Sequence, residues 1–191
     1  MCGIAAGSGR EDIKMYIPEQ VERVLLTEEE IKEKVRAIGA QLTQEYAGKN
    51  PLFICVLKGS VVFFADLIRE MKCPLEINFL RASSYGSGTV SSGKVDLEIG
   101  KGINFTGRHV VLVEDILDTA RTLYKLKADI SELSPASLRI VTLLDKPSRR
   151  VVKGFKADLT GFEIDDLFVV GYGLDCGEKY RNLPYVGVVR T

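Results

Sequence analysis

Val110–Leu123, VVLVEDILDTARTL, is the stretch on which the reading of this chain turns. Its first four residues, Val110 to Val113, are apolar and fit a buried strand. Glu114 and Asp115 follow directly, and Asp118 comes after two more apolar residues. Thr119-Ala120-Arg121-Thr122 then leads into a segment with helical apolar spacing. Three acids and a run of small hydroxyl residues are thus expected at a strand-to-helix turn. In an open parallel sheet, that carboxyl edge is where ligands bind.

The residue types suggest two halves of a site. Helix-start N–H groups lack intrahelical partners and favour an anion such as phosphate. Thr119 and Thr122 add hydroxyl donors, and Arg121 can add a charge. The acids before them would repel a bare phosphate, but they suit a ribose, whose hydroxyls donate, and Mg2+, which prefers oxygen ligands. Together the halves suit a sugar phosphate. A plainer alternative stays open on spacing alone: solvated acids at a strand end, followed by a helix cap.

Composition narrows the class. The chain has 191 residues, enough for one domain with a full core. Its 26 basic and 26 acidic side chains cancel, which argues against a nucleic-acid groove as its main business. No apolar run approaches the ~20 residues of a membrane span, and no secretory segment opens the chain. The four cysteines form no C-x-x-C pair, and a single His109 leaves no familiar zinc constellation. Reduced thiols and a cytoplasmic location are the economical expectation.

Taken in order, residues 1–16 read as a flexible extension and 17–191 as the folded domain. Thr27 and Glu30 form a capping box, and Ile31, Val35, Ile38 and Leu42 recur at helical spacing up to about Gly48. Leu52–Leu57 reads as the first central strand. Lys58-Gly59-Ser60 follows it, then a helix with Phe64, Leu67, Ile68 and Met71 on one face. Strand, Lys-Gly-Ser and helix make a second candidate anion site, although strands often end this way for structural reasons alone. Pro74–Leu80 reads as another strand. Arg81–Lys94 is rich in Ser and Gly, so it is expected to be a mobile connection, with Val95–Ile99 as a returning strand. His109 is expected to be an ordinary surface or satisfied histidine. The helix after the central turn carries Leu123, Leu126, Ile130 and Leu133. Leu138–Leu144 and Phe168–Val170 read as further strands, and Tyr185–Val189 as a closing edge strand.

Four separated segments resemble, in family order, the type I phosphoribosyltransferases of the purine-salvage branch. They are LKGS, SSYG, the Glu114–Thr122 loop, and FVVGYGLD with its downstream Arg181. The resemblance runs from about Ile17 to Val189. It implies an α/β fold, a central parallel sheet flanked by helices with a small hood from the N- and C-terminal segments. It also implies transfer of 5-phosphoribose from phosphoribosyl pyrophosphate to a hypoxanthine or guanine base with Mg2+, by a homodimer or homotetramer without nucleic-acid or membrane partners.

The resemblance further implies individual roles. Lys58, the Gly59 amide and Arg181 hold pyrophosphate, and the Leu57–Lys58 peptide can be cis. Ser84 and Tyr85 belong to a lid that shuts out water. Glu114 and Asp115 hold ribose, and with Asp175 they serve as the metal's ligands. Thr119, Ala120, Arg121 and Thr122 bind the 5′-phosphate, and Asp118 is the general base. Lys146 donates to the oxygen at position 6 of the purine. Phe168 stacks on the ring, and the Val169 backbone meets its edge. Ala120 departs from the family's usual Gly, and φ > 0 there would cost an L-residue roughly 1–2 kcal/mol. A xanthine or pyrimidine transferase, or a non-catalytic regulator binding nucleotide or RNA, are the alternatives.

Overall fold

The computed structural model describes residues 15–81 and 102–190. The lid pair Ser84–Tyr85, the expected strand Val95–Ile99 and most of the N-terminal extension lie outside them. Five parallel strands form the main sheet: β2 (Leu52–Leu57), β3 (Glu76–Arg81), β4 (His109–Leu117), β5 (Ser137–Asp145) and β6 (Leu159–Glu163), in the order β3-β2-β4-β5-β6. Central strands of such a sheet are covered on both faces and read as unbroken apolar runs. Phe53, Cys55, Val111, Val113, Val141 and Leu143 face one side. There they meet the buried faces of α1 (Glu28–Tyr46) and α2 (Val61–Glu70). Leu52, Ile54, Val56, Val110, Leu112 and Ile140 face the other, against Leu123, Leu126 and Ile130 of α3 (Arg121–Ser131).

The strand order locates the site. From β2 the chain crosses through α2 to β3 on one side, whereas from β4 it crosses through α3 to β5 on the other. The sheet's topological switch therefore falls between β2 and β4, where adjacent loops diverge and leave a crevice at their carboxyl ends. Lys58-Gly59-Ser60 follows β2, and Asp118-Thr119-Ala120 follows β4, so both candidate loops flank that crevice.

Local signals behave as expected at α1. Thr27 accepts from the Glu30 N–H (3.3 Å), and the Glu30 carboxylate accepts from the Thr27 N–H (2.8 Å). Four expectations are corrected. The central strand continues past Val113 to Leu117, because Glu114 pairs with Thr142 and Leu117 with Asp145 of β5. Glu114 and Asp115 thus belong to the strand, and the turn is Asp118–Ala120. Leu133 is not part of a buried helical face: α3 ends at Ser131, and Leu133 is exposed. Met71 is buried but follows α2 as its C-cap. Finally, Val186–Val189 is not an edge. It is the middle strand (β8) of a small antiparallel sheet, between β1 (Val21–Leu26) and β7 (Val169–Val170). His109 opens β4 at the opposite end of the sheet and is satisfied by Ser137 Oγ at 2.8 Å. No helix among the described residues is long and apolar enough to cross a membrane.

Candidate active site

A cleft of about 350 Å3 occupies the crevice between β2 and β4. Lys58 and Gly59 form one wall, Glu114, Asp115 and the turn Asp118–Ala120 with Thr122 another, and Asp175 and Arg181 close it. Ten of the residues singled out from sequence meet here. Gly59 packs against Asp115 so closely that a Cβ on it would stand 1.6 Å from Asp115 Oδ2. The Lys58-Gly59-Ser60 loop and the paired acids are therefore in direct contact. The Leu57–Lys58 peptide is cis.

Glu114 and Asp115 are adjacent and partly buried. Glu114 Oε1 accepts from the Asp115 N–H (3.2 Å), and Asp115 Oδ1 from the Ile116 N–H (2.7 Å). Burial, then the neighbouring Asp115, holds the Glu114 carboxyl well above the usual carboxylate range. Burial also raises Asp115, opposed by its hydrogen bonds and by the Arg181 charge. A divalent cation relieves this kind of stress, so the donor set fits Mg2+, which commonly takes one or two carboxylates and fills its remaining positions with substrate oxygens and water. Among the described residues, no three His, Cys, Asp or Glu side chains converge into a ready-made cage. Asp175, the third expected ligand, is instead ion-paired with Arg181 at 2.8 Å and caps the Glu178 N–H at 2.8 Å.

The phosphate half of the turn is shaped by Ala120. It adopts a left-handed conformation (φ 70°, ψ −3°) and is the N-cap of α3, its carbonyl accepting from the Tyr124 N–H at 2.9 Å. This is the strained geometry foreseen for a non-glycine residue at that position. The first-turn amides that follow have no intrahelical acceptors. Thr119 and Thr122 flank them in the cleft wall, while the Arg121 side chain points to solvent and is not part of that wall.

Lys146, Phe168 and Val169 do not line this cleft. Lys146 is buried, and its N–H donates to Leu117 O at 3.0 Å, which puts it at the cleft margin. Phe168 is half-exposed just before β7, and Val169 is buried within β7. Their neighbours Pro147 and Leu167 line a second hollow of about 560 Å3. The expected base contacts thus lie outside the walls of the cleft that holds the acids and the helix start.

Three participants were not foreseen. Arg149, in the short 3-10 turn Pro147–Arg149, places Nε 3.2 Å from Asp118 Oδ1. Arg150 donates to Leu117 O (3.0 Å), to Asp118 O and to the Asp145 carboxylate, so it ties the end of β4 to the end of β5. Glu178 bridges Lys58 (3.0 Å) and Arg181 (3.2 Å), and those cations hold its carboxyl below the usual range. In sequence, Arg149-Arg150 and Glu178 look like solvated loop charges, and nothing in their spacing marks them out.

Comparison with known proteins agrees with this arrangement. Residues 24–176 match the model of the phosphoribosyl transferase domain. A Lactococcus lactis protein named hypoxanthine-guanine phosphoribosyltransferase is 51% identical, covering 93% of this chain and 96% of its own length. A crystal structure of a Staphylococcus aureus hypoxanthine phosphoribosyltransferase superposes with a TM-score of 0.84 at 44% identity, over 90% of this chain and 92% of that one. The Bacillus anthracis hypoxanthine-guanine enzyme, solved with HEPES in its active site, gives 0.83 at 46% identity, over 89% and 99%. With a domain match over most of its length and a relative half identical to it, this chain belongs to the phosphoribosyltransferase family.

Proposed function

We propose that this chain transfers 5-phosphoribose from phosphoribosyl pyrophosphate to N9 of hypoxanthine or guanine, giving the nucleoside monophosphate and pyrophosphate. One observation carries the reading: a single cleft is lined both by Glu114 and Asp115 and by Asp118, Thr119, Ala120 and Thr122 at the helix start. The named relatives favour a hypoxanthine-guanine enzyme over a xanthine or pyrimidine transferase or a regulator without catalysis.

In the reaction the bond from the sugar's C1 to pyrophosphate breaks, C1 becomes cation-like, and the purine N9 lone pair closes the new bond. Mg2+, when bound, neutralises and orients the pyrophosphate. The chain's own residues do the rest. Glu114 and Asp115 accept from the ribose 2′- and 3′-hydroxyls. Thr119, Thr122 and the amides of residues 120–122 hold the 5′-phosphate, with Arg121 supplying charge from the rim. This remote grip helps align C1 with the base. Lys58, the Gly59 amide and Arg181 take up the leaving pyrophosphate, Arg181 with a planar fork suited to two oxygens. Asp118 removes the proton from N7 as N9 attacks.

Base recognition is assigned to Lys146, Phe168 and the Val169 backbone, with Asp175 near both base and metal. An ammonium can only donate, so it selects a 6-oxo over a 6-amino purine. The Ser84–Tyr85 segment is assigned to excluding water from the cation-like sugar. The β1-β8-β7 sheet serves as the hood of a domain spanning 17–191. By the same family resemblance, the enzyme works in the cytoplasm as a homodimer or homotetramer.

The test is steady-state turnover of hypoxanthine, guanine and adenine with phosphoribosyl pyrophosphate and Mg2+. Lys146→Ala is expected to raise KM for hypoxanthine and guanine by about 10- to 100-fold while leaving that for phosphoribosyl pyrophosphate unchanged. Equal loss on adenine would remove the 6-oxo assignment, and a wild-type chain without turnover would remove the function.

A further inference from the structure

Tyr172 lies between the base-side strand β7 and Asp175, and none of the roles above uses it. It is buried and has a positive φ of 48°. Its hydroxyl donates to Asp66 Oδ2 at 2.7 Å. Asp66 is on α2, the helix that begins directly after Lys58-Gly59-Ser60. The phenol thus reaches from the loop that carries Arg181 to the helix that directly follows Lys58 and Gly59.

The residue after it completes the link. Gly173 has φ 101°, and a Cβ there would stand 2.0 Å from Gly59 O and 3.7 Å from Val62 Cβ. No side chain fits between the two loops. The Gly173 carbonyl accepts from Arg181 Nη1 at 2.8 Å, and the Gly173 N–H donates to Arg181 O at 2.9 Å. A continuous path therefore runs from Asp66 through Tyr172 and Gly173 to Arg181, and from Gly173 across to Gly59. Burial and the Asp66 hydrogen bond keep the Tyr172 hydroxyl protonated, as the donor role requires.

We propose that Tyr172 and Asp66 are a positioning pair that sets the separation between the two arms of the pyrophosphate grip, Lys58–Gly59 and Arg181. A buried phenol needs an acceptor, and here the acceptor is supplied by α2 and not by the tyrosine's own loop. Asp66 is itself substantially solvated, its side chain 40% exposed and 3.9 Å from Arg69. What the hydrogen bond adds is registration between two loops that must meet one ligand, where a misplacement of about 1 Å can cost roughly a hundredfold in rate.

The inference rests on the phosphoribosyl-transfer reading, and its test separates the two. KM for pyrophosphate is measured in the reverse reaction with inosine monophosphate and Mg2+, alongside the melting temperature. Tyr172→Phe and Asp66→Ala are each expected to raise KM for pyrophosphate about tenfold, with a smaller change in KM for the nucleotide. Asp66→Asn keeps an acceptor and is expected to restore most of the affinity. The double variant is expected to be no worse than either single one, because both break the same link. An altered melting temperature with unchanged pyrophosphate KM overturns the pair. If Tyr172→Phe does not fold, Asp66→Ala, on a solvated helix position, carries the measurement. A wild-type chain that shows no reaction in either direction overturns the underlying function instead.

Discussion

Asp118→Asn is expected to lower turnover of hypoxanthine by ~10²–10⁴-fold, the usual contribution of a positioned general base. The substitution keeps size and shape while removing the capacity to take a proton and the charge that faces Arg149. Asp118 lies in the cleft wall, its carboxylate 3.2 Å from Arg149 Nε and partly open to solvent. Its backbone carbonyl is held by Arg150, so the variant's main chain stays in place. Binding of phosphoribosyl pyrophosphate, which we assign to Glu114, Asp115 and the α3 amides, is expected to remain measurable by calorimetry. Turnover equal to wild type would take the base assignment away from Asp118.

Arg150→Met is expected to destabilise the fold by about 3–5 kcal/mol, because it leaves the Asp145 carboxylate buried without its partner. The two side chains are 10% and 12% exposed, and Asp145 ends β5 where Leu117 ends β4. For a chain of this length that loss lowers the melting temperature by about 6–20 °C. Adding Asp145→Leu removes the stranded charge and is expected to recover much of the stability. Activity is not expected to return with it, since Arg150 also holds the Leu117 and Asp118 carbonyls behind the catalytic turn. Calorimetric melting of the single and double variants decides this. An unchanged melting temperature in Arg150→Met would show that the pair is not coupled to folding.

Much of the site could be read along the chain because its parts are local. Glu114 to Thr122 is one uninterrupted stretch of chain, and LKGS is another. Each carries its own signal: an apolar run, a change to polar residues, then a helical period. What brings them together is not local. The end of β4 is set by pairing with β5, so the strand extends through Glu114 and Asp115 where the sequence suggested a turn. β1 and β6 are five or six residues with mixed burial and carry no alternation strong enough to announce them. Val186–Val189 looks like a final edge, yet it is central because a segment more than 160 residues earlier supplies its other neighbour. Arg149 and Arg150 owe their roles to acids on other elements. Ala120 is the opposite case, since a departure from a glycine pattern marked the position where a positive φ would be strained, and the backbone there is left-handed.

A crystal structure of the protein with inosine monophosphate and Mg2+ tests the central claim most directly. The account predicts the 5′-phosphate on the amides of residues 120–122 and the hydroxyls of Thr119 and Thr122. It predicts the ribose 2′- and 3′-oxygens within hydrogen-bonding distance of Glu114 and Asp115. A nucleotide seated elsewhere, or one whose phosphate approaches the acids while its ribose faces α3, would contradict it.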